Sequence, residues 1–259
     1  MIDIQSTSDT REIPLKKVGV KNLRYPVSVM DKECGSQRTT ASVDLFVNLP
    51  QDYKGTHMSR FVEVFHRYSS DLGMKRFLLM LEEIRENLSA ERAFGTMEFS
   101  FFKRKRAPVS GAESVMEYTC TYEGEVSGES QKFFITIKIP VTTVCPCSKA
   151  ISEHGAHNQR GMVTVRLRNS SLFWIEDVIE LVEDCASCGL YSILKRPDEK
   201  WVTERAYENP RFVEDVVREV CIALKNFTKC DKPFAWFSVE CENFESIHNH
   251  NAYAYTESF

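Results

Sequence analysis

The sequence predicts an α+β fold built on antiparallel sheet, and three observations carry that prediction. Several runs alternate apolar and polar residues with a period of two, as half-buried strands do. Longer stretches repeat apolar residues at i, i+3 and i+4, as helices packed on one face do. The elements also fall in the same order twice: strand, strand, helix, helix, strand, strand. Long neighbouring strands followed by helix pairs place the helices on one face of the sheet.

Taken in order, residues 1–19 are expected to form a flexible arm, followed by a first unit at 20–126 and a second at 127–259. "VKNLRYPVSVM" reads as a strand, and after the turn-rich "DKECGSQ" the run "RTTASVDLFVNLP" alternates Val43, Leu45, Val47 and Leu49 against Ser42, Asp44, Phe46 and Asn48. Phe61, Val64, Phe65 and Tyr68 mark one helix, and Phe77, Leu78, Leu81, Ile84 and Leu88 a second. "TMEFSFFKRKRAPVSG" reads as a strand ending in a basic turn, and "SVMEYTCTYEGEV" as another. A seam is expected at 126–131, "VSGESQ". Beyond it "KFFITIKIPVTTV" and "GMVTVRLR" are strands, the first rich in β-branched and aromatic residues. A long helix is expected at 172–194, capped by Ser170 or Ser171. A further helix starts near Pro210, and "PFAWFSVECEN" and "NAYAYTES" close the chain as strands.

The chain has 259 residues, 42% hydrophobic and 27% charged, which is ordinary globular composition. A chain of this size buries roughly 70–75% of its unfolded surface, so it needs neither disulfides nor a metal merely to fold. The net charge of -4 argues against bulk nucleic-acid binding, while leaving room for a small anion held by a local basic cluster. "MIDIQSTSDTREIPL" lacks the basic and apolar regions of a signal peptide, and no apolar run reaches the ~18 residues of a membrane span. The expectation is a cytoplasmic protein with no membrane partner. In that compartment nine cysteines, an odd number, are better read as packing, metal ligands or catalytic thiols than as disulfides.

Six stretches invite a chemical reading. In "VTTVCPCSKAISEHGAHNQRG", Cys145 and Cys147 would face one side of an extended chain, with His154 and His157 shortly beyond. A disulfide hook, a metal site, a catalytic thiol and plain packing all remain open there, because one Cys pair is too sparse for a closed tetrahedral zinc site. "CENFESIHNHNAYAY" collects Glu242, Glu245, His248 and His250, which suits a metal or acid–base site or a solvated loop. In "LKRPDEK", Asp198 and Glu199 are expected just past a helix end, where the macrodipole disfavours carboxylates. Lys103, Arg104, Lys105 and Arg106 form a basic run, and His57 and Arg60 lie near a helix start; either group suits phosphates or an exposed charged surface. "CASC", Cys185 to Cys188, matches a redox spacing but is expected inside an amphipathic helix, as packing. The phosphate-binding glycine loops and the G-x-S-x-G elbow are missing.

The strings "KGTHMSRF", "APVSG", "VTTVCPCSKAISEHGAHNQRG", "LKRPDEKWVTERAYENPRFVED" and "ENFESIHNHNAYAY" together resemble the prokaryote-specific type IB GTP cyclohydrolase I family, over nearly the whole chain. The resemblance implies the tunnelling fold (T-fold): two tandem units, each a four-stranded antiparallel sheet with two helices on one face. It implies a homotetramer with active sites at subunit interfaces, and hydrolysis of GTP to formate and 7,8-dihydroneopterin triphosphate, the first step of folate biosynthesis. It also implies one divalent metal per active site, Mn2+, Fe2+ or Zn2+. Carried over by position, Cys145, Glu199, Glu245 and His248 become metal ligands, and Cys147 the second active-site thiol. His157 becomes an acid–base residue and Glu214 the guanine anchor. The alternatives are another tunnelling-fold enzyme on pterins or deazapurines, such as a nitrile reductase, and a metal- or purine-binding module without turnover.

Overall fold

The period-two runs become long strands. The computed structural model describes residues 5, 7, 9–168 and 171–258. Among them the strands are β1 (Leu15–Asp31), β2 (Gly35–Leu49), β3 (Arg92–Arg106), β4 (Glu113–Ser127), β5 (Gln131–Val144), β6 (Asn158–Arg168), β7 (Cys188–Gly189), β8 (Trp236–Asn243) and β9 (Ala252–Glu257). The helices are α1 (Met58–Tyr68), α2 (Met74–Asn87), α3 (Pro146–Ile151), α4 (Ile175–Cys185), α5 (Arg196–Glu208) and α6 (Val213–Lys225). The strand order is β1-β2-β3-β4-β5-β6-β8-β9, with β7 paired to β5. The chain divides into two compact units, Met1–Ser100 with Thr121–Ile135, and Phe101–Cys120 with Thr136–Phe259.

In the first unit, β1 and β2 form an antiparallel hairpin from Leu15↔Leu49 to Asp31↔Gly35. The register slips between Val20 and Leu23, where Asn22 takes a φ of 56° and donates its N–H to Asp44 Oδ1 at 2.8 Å. Such an irregularity bends a strand without ending it. Val43, Leu45, Val47 and Leu49 are buried, as the alternation predicts. The helices bury Phe61, Val64 and Phe65 from α1 and Phe77, Met80, Leu81 and Ile84 from α2. Gly124 lets α2 approach the sheet closely: a Cβ there would stand 2.6 Å from Leu81 Cδ1. Phe77 then meets Tyr122 and Phe133 edge-on, at 5.9 and 6.1 Å.

The second unit packs α4 against α6, through Val178, Ile179, Val182, Val216, Val217, Val220 and Leu224, with α6 beside β8 and β9. β6 and β8 pair from Gly161↔Asn243 to Arg168↔Trp236, and β8 pairs onward with β9. An antiparallel sheet with helices packed on it matches the expected α+β class.

Several expectations need correcting. β1 begins at Leu15, inside the expected arm, because Leu15 finds a partner in Leu49; residues 1–4, 6 and 8 of that arm lie outside the described residues. The helix expected at 172–194 is α4 alone, and Ser170 lies outside the described residues. It stops because Ala186 turns extended (ψ 177°), Ser187 Oγ accepts from Val144 N at 3.1 Å, and Cys188 and Gly189 pair with Thr142 and Val141. Cys185 therefore ends α4 and Cys188 opens β7, so "CASC" straddles a helix end. The stretch "RPDEK" starts α5 rather than following a helix, which reverses the macrodipole argument: Asp198 and Glu199 sit in a first turn, where carboxylates are favoured. The basic run 103–106 is the end of β3, not a turn. Among the described residues, no helix is long and apolar enough to cross a membrane.

Candidate functional site

The strongest cluster of chemistry grows from the end of β5. Cys145 leaves the strand in an extended conformation and caps α3, with Pro146 at its first position. The Cys145–Cys147 spacing therefore does not place both thiols on one strand face: Cys145 is half-buried and Cys147 exposed, and all nine cysteines are free. Cys145 Sγ accepts from Ser148 N at 3.5 Å. Ser148 Oγ donates to Cys145 O at 3.2 Å and accepts from His157 N at 3.2 Å, while Cys145 N donates to His157 O at 3.1 Å. Ser148 thus ties Cys145 and His157 into one knot. The His157 ring continues it: Nδ1 is 3.0 Å from Gln159 Oε1, and Gln159 Nε2 donates to Thr143 Oγ1 at 2.8 Å.

Glu245 reaches the same knot, its Oε2 3.9 Å from His157 Nδ1. The β6–β8 pairing delivers it, since Phe244 N donates to Arg160 O at 2.9 Å. Gly161 makes room for this turn, because a Cβ there would lie 2.6 Å from Asn243 Oδ1.

The other expected residues stand apart from this cluster. His248 is exposed, its ring stacked on His250 at 5.1 Å. Glu199 is exposed in the first turn of α5. Its neighbour Asp198 is buried and anchors that turn: Oδ1 accepts from Val109 N and Ser110 N, each at 2.8 Å, and Oδ2 from Ser110 Oγ at 2.6 Å and Lys195 N at 2.8 Å. Burial would raise the Asp198 carboxyl, but the hydrogen bonds from Ser110, Lys195 and Val109 outweigh it and hold the group well below the usual carboxylate range. Glu214 lies in the first turn of α6 and lines a cavity of about 430 Å3 with Val217, Arg218, Cys221, Tyr255 and Thr256. A separate cavity of about 380 Å3 lies against Val144, Ala156, Asn158, Tyr191 and Tyr207. Both fall in the usual range for small-ligand sites.

The basic run does not present one surface. Lys103 pairs with Glu180 at 3.0 Å, Arg106 with Glu113 at 2.6 Å, and Arg104 is exposed. Lys105 is buried and reaches both Glu183 oxygens at 2.8 Å and Leu190 O at 2.7 Å. His57 and Arg60 belong to the first unit, at the start of α1, where Arg60 donates to Asn87 O at 3.1 Å.

The expected ligands Cys145, Glu199, Glu245 and His248 carry sulfur, oxygen and nitrogen donors, a set that suits a borderline divalent cation. The four expected ligands nevertheless do not converge in one copy of the chain: among the described residues, no three His, Cys, Asp or Glu side chains are grouped to hold a metal ion. The donor chemistry fits a cation; the full ligand set is not assembled.

Cys185 and Cys241 carry thiols that burial pushes up to about 12, and burial raises Cys188 as well. They are packing residues. Two elements of the candidate site escaped the sequence reading. Helix α5 was signalled by Pro197 followed by two carboxylates, a helix-start pattern. Gln159 was signalled by its place on the inward row of β6, with Gly161, Val163, Val165 and Leu167, where a polar side chain needs a partner.

Comparison with solved structures defines the class first. The fold matches the uricase of Arthrobacter globiformis (TM-score 0.55, 12% identity, 93% of this chain and 92% of the other) and a uricase from Bacillus fastidious (TM-score 0.55, 5% identity, 93% and 92%). At such identities the likeness is one of fold, and it is the tunnelling fold. The family model described as type I GTP cyclohydrolase FolE2 matches residues 1–254, and the chain belongs to that family. It is 52% identical over 255 residues to the GTP cyclohydrolase FolE2 of Geobacter sp. (strain M21), covering 98% of this chain and 94% of the relative. It is 54% identical over 258 residues to the protein of the same name from Akkermansia muciniphila, covering 98% and 96%.

Proposed function

We propose that this chain is a GTP cyclohydrolase I, a hydrolase that opens the guanine ring of GTP at C8, releases formate and forms 7,8-dihydroneopterin triphosphate, the first step toward tetrahydrofolate. The observation that carries the site assignment is the Cys145–Ser148–His157 knot, which ties the backbones of a thiol-bearing and an imidazole-bearing residue together in a member of this family.

The roles divide by chemistry. One divalent cation, Mn2+, Fe2+ or Zn2+, would be held by Cys145 with Glu199, Glu245 and His248, and would supply the Lewis acidity that lets water act as a nucleophile near neutral pH. His157 gives or takes a proton at the ring nitrogen as charge develops on the imidazole portion of guanine. Cys147, exposed one residue into α3, faces the substrate. Glu214 accepts hydrogen bonds from guanine N1–H and the 2-amino group; adenine lacks both donors, and unpaired buried polar groups reject it. Within the basic run the triphosphate falls to exposed Arg104; Lys103, Lys105 and Arg106 are already paired with carboxylates. The sites lie at the interfaces of a cytoplasmic homotetramer. Exposed Phe212, Phe244 and Ile247, which flank Glu214 and Glu245 in sequence, and exposed Tyr253 and Tyr255 of β9 support that reading as apolar surface for a neighbouring copy.

The test is turnover of GTP by reduced protein supplied with Mn2+, Zn2+ or Fe2+, read as a fluorescent pterin after oxidation. ATP should give none. Absence of product with all three metals overturns the reading, and GTP binding without product would instead indicate a purine-binding module.

A further inference from the structure

We propose that Ser187 is a positioning residue: its buried hydroxyl holds the peptide that leads into Cys145, and so sets where the Cys145 thiol stands for the cation. The proposal rests on the reading of Cys145 as a metal ligand, and deepens it.

The peptide groups around Cys145 are held one by one. Val144 N donates to Ser187 Oγ at 3.1 Å, and Val144 O accepts from Arg211 N at 3.0 Å. Cys145 N donates to His157 O at 3.1 Å. Cys145 O accepts from Ser148 Oγ at 3.2 Å and from Lys149 N at 3.1 Å. The backbone of Cys145 is thereby fixed at φ -68° and ψ 118°, and the sulfur keeps only its staggered rotations about the Cα–Cβ bond. Ser148 and His157 belong to the same stretch as Cys145. Ser187 acts with its side chain from 43 positions further along the chain.

The hydroxyl solves a problem at the end of a ladder. β7 pairs with β5 at Val141↔Gly189 and Thr142↔Cys188, and goes no further. Continued by two residues, the register would set Ala186 opposite Val144, but Ala186 O accepts from Asn209 Nδ2 at 2.9 Å. Ser187 Oγ supplies the acceptor instead. β5 can then turn out of the ladder into α3 without stranding a buried N–H. The bond is dry, with Ser187 0% and Val144 4% exposed. Its donor and acceptor are braced as well. Cys188 packs with Val144 and Ala206 beside Ala156 and Val202, and Lys105 Nζ holds Leu190 O at 2.7 Å. The serine of "CASC" thus has a task that its two cysteines lack. Without the hydroxyl, the Val144 peptide must move to find another acceptor, and Cys145 moves with it. Metal sites hold their ligand distances to within about 0.2 Å, so a small displacement of the sulfur is felt.

The experiment uses reduced full-length protein loaded with Co2+, whose bond to a thiolate gives a charge-transfer band in the near ultraviolet. A competing chelator reads the affinity, and deuterium uptake at saturating Co2+ reads the amides of residues 141–148. Cys145→Ala should lose the band, which assigns it. Ser187→Ala should bind Co2+ roughly 10–100-fold more weakly, with faster uptake in the 141–148 segment. Ser187→Thr keeps the acceptor but adds a methyl group to a filled site. It should therefore lower Tm by overpacking, yet keep the wild-type Co2+ affinity and the slow uptake. A purely structural serine would give the opposite pattern, with affinity following Tm across the variants. Wild-type affinity in Ser187→Ala overturns the proposal, as does Ser187→Thr binding as weakly as Ser187→Ala. If Ser187→Ala fails to fold, Ser187→Cys, whose sulfur is a weak acceptor, takes its place and should also bind more weakly than Ser187→Thr. A band that survives in Cys145→Ala removes Cys145 from the ligand set and the proposal with it. That result differs from a Cys145 band whose affinity ignores Ser187, so the two failures are distinguishable.

Discussion

Replacing Glu183 by alanine should be among the most damaging single changes in the second unit, although the residue lies outside the proposed chemistry. Lys105 Nζ reaches both Glu183 oxygens at 2.8 Å, with side chains only 7% and 11% exposed. Tyr118 OH donates to the same carboxylate at 2.9 Å, and the Tyr191 ring lies 4.4 Å from the ammonium. Removing the carboxylate leaves a buried cation with Leu190 O and a ring face, and a buried hydroxyl with no acceptor. The stranded cation costs about 3–5 kcal/mol, and the orphaned hydroxyl about 1 kcal/mol more. At about 2–4 °C per kcal/mol for a chain of this size, the roughly 4–6 kcal/mol total lowers Tm by roughly 8–24 °C. Glu204→Ala, which breaks the exposed Lys200–Glu204 pair (71% and 56% exposed), should cost no more than about 0.5 kcal/mol. Thermal and urea unfolding measure both. The double variant Lys105→Met/Glu183→Leu removes both charges and should recover most of the loss. A Glu183→Ala variant within about 1 kcal/mol of wild type would refute the buried-pair argument, because such a value belongs to exposed pairs. The double variant should also keep its KM for GTP; a large rise in the folded protein would return Lys105 to the phosphate site.

The remaining predictions concern the thiols, α5 and the turn at Gly161. Iodoacetamide near neutral pH should label exposed Cys147 and spare Cys185 and Cys241, whose thiols are pushed up to about 12, as peptide mapping would show; Cys185→Ala should turn over normally while Cys145→Ala should not. Asp198→Asn should lower Tm at neutral pH. The folded carboxyl lies below its ordinary value of 3.8, so its contribution is complete above that pH and lost as pH falls toward the folded value. The gap between wild type and variant should therefore be constant from pH 7 to 5 and narrow below about 4; a gap that widens on acidification contradicts the hydrogen-bond account. Gly161→Ala puts a Cβ 2.6 Å from Asn243 Oδ1 and should cost about 1–3 kcal/mol in urea unfolding, with loss of turnover as Glu245 moves; an unchanged variant would show that the turn has slack.

What the sequence made legible was decided by local periodicity. The inward rows Val43–Leu49 and Val163–Leu167, and the helix faces of Phe61 and Phe77, are set by residues close together in the chain. Cys145 and His157 also stood out, because their functional types lie in one polar stretch. The failures came where a distant partner decided the local conformation. Ser187 bonding Val144 and Gly189 pairing with Val141 ended α4 at Cys185, a stop that no residue in the helix signals. Lys105 and Glu183 stand 78 positions apart, so the basic run could not reveal its burial partner. Asp198 looked misplaced until α5 started around it and Ser110 arrived from the β3–β4 turn.

The central claim is that the chain removes C8 of guanine through the site built on Cys145 and His157. The most direct test is carbon NMR of the reduced, metal-supplied protein with GTP labelled by 13C at C8. The account predicts that the label leaves as formate with wild-type protein and with Cys185→Ala, and stays in the purine with Cys145→Ala. Label retained by the wild type with every metal, or formate released at the wild-type rate by Cys145→Ala, would contradict it.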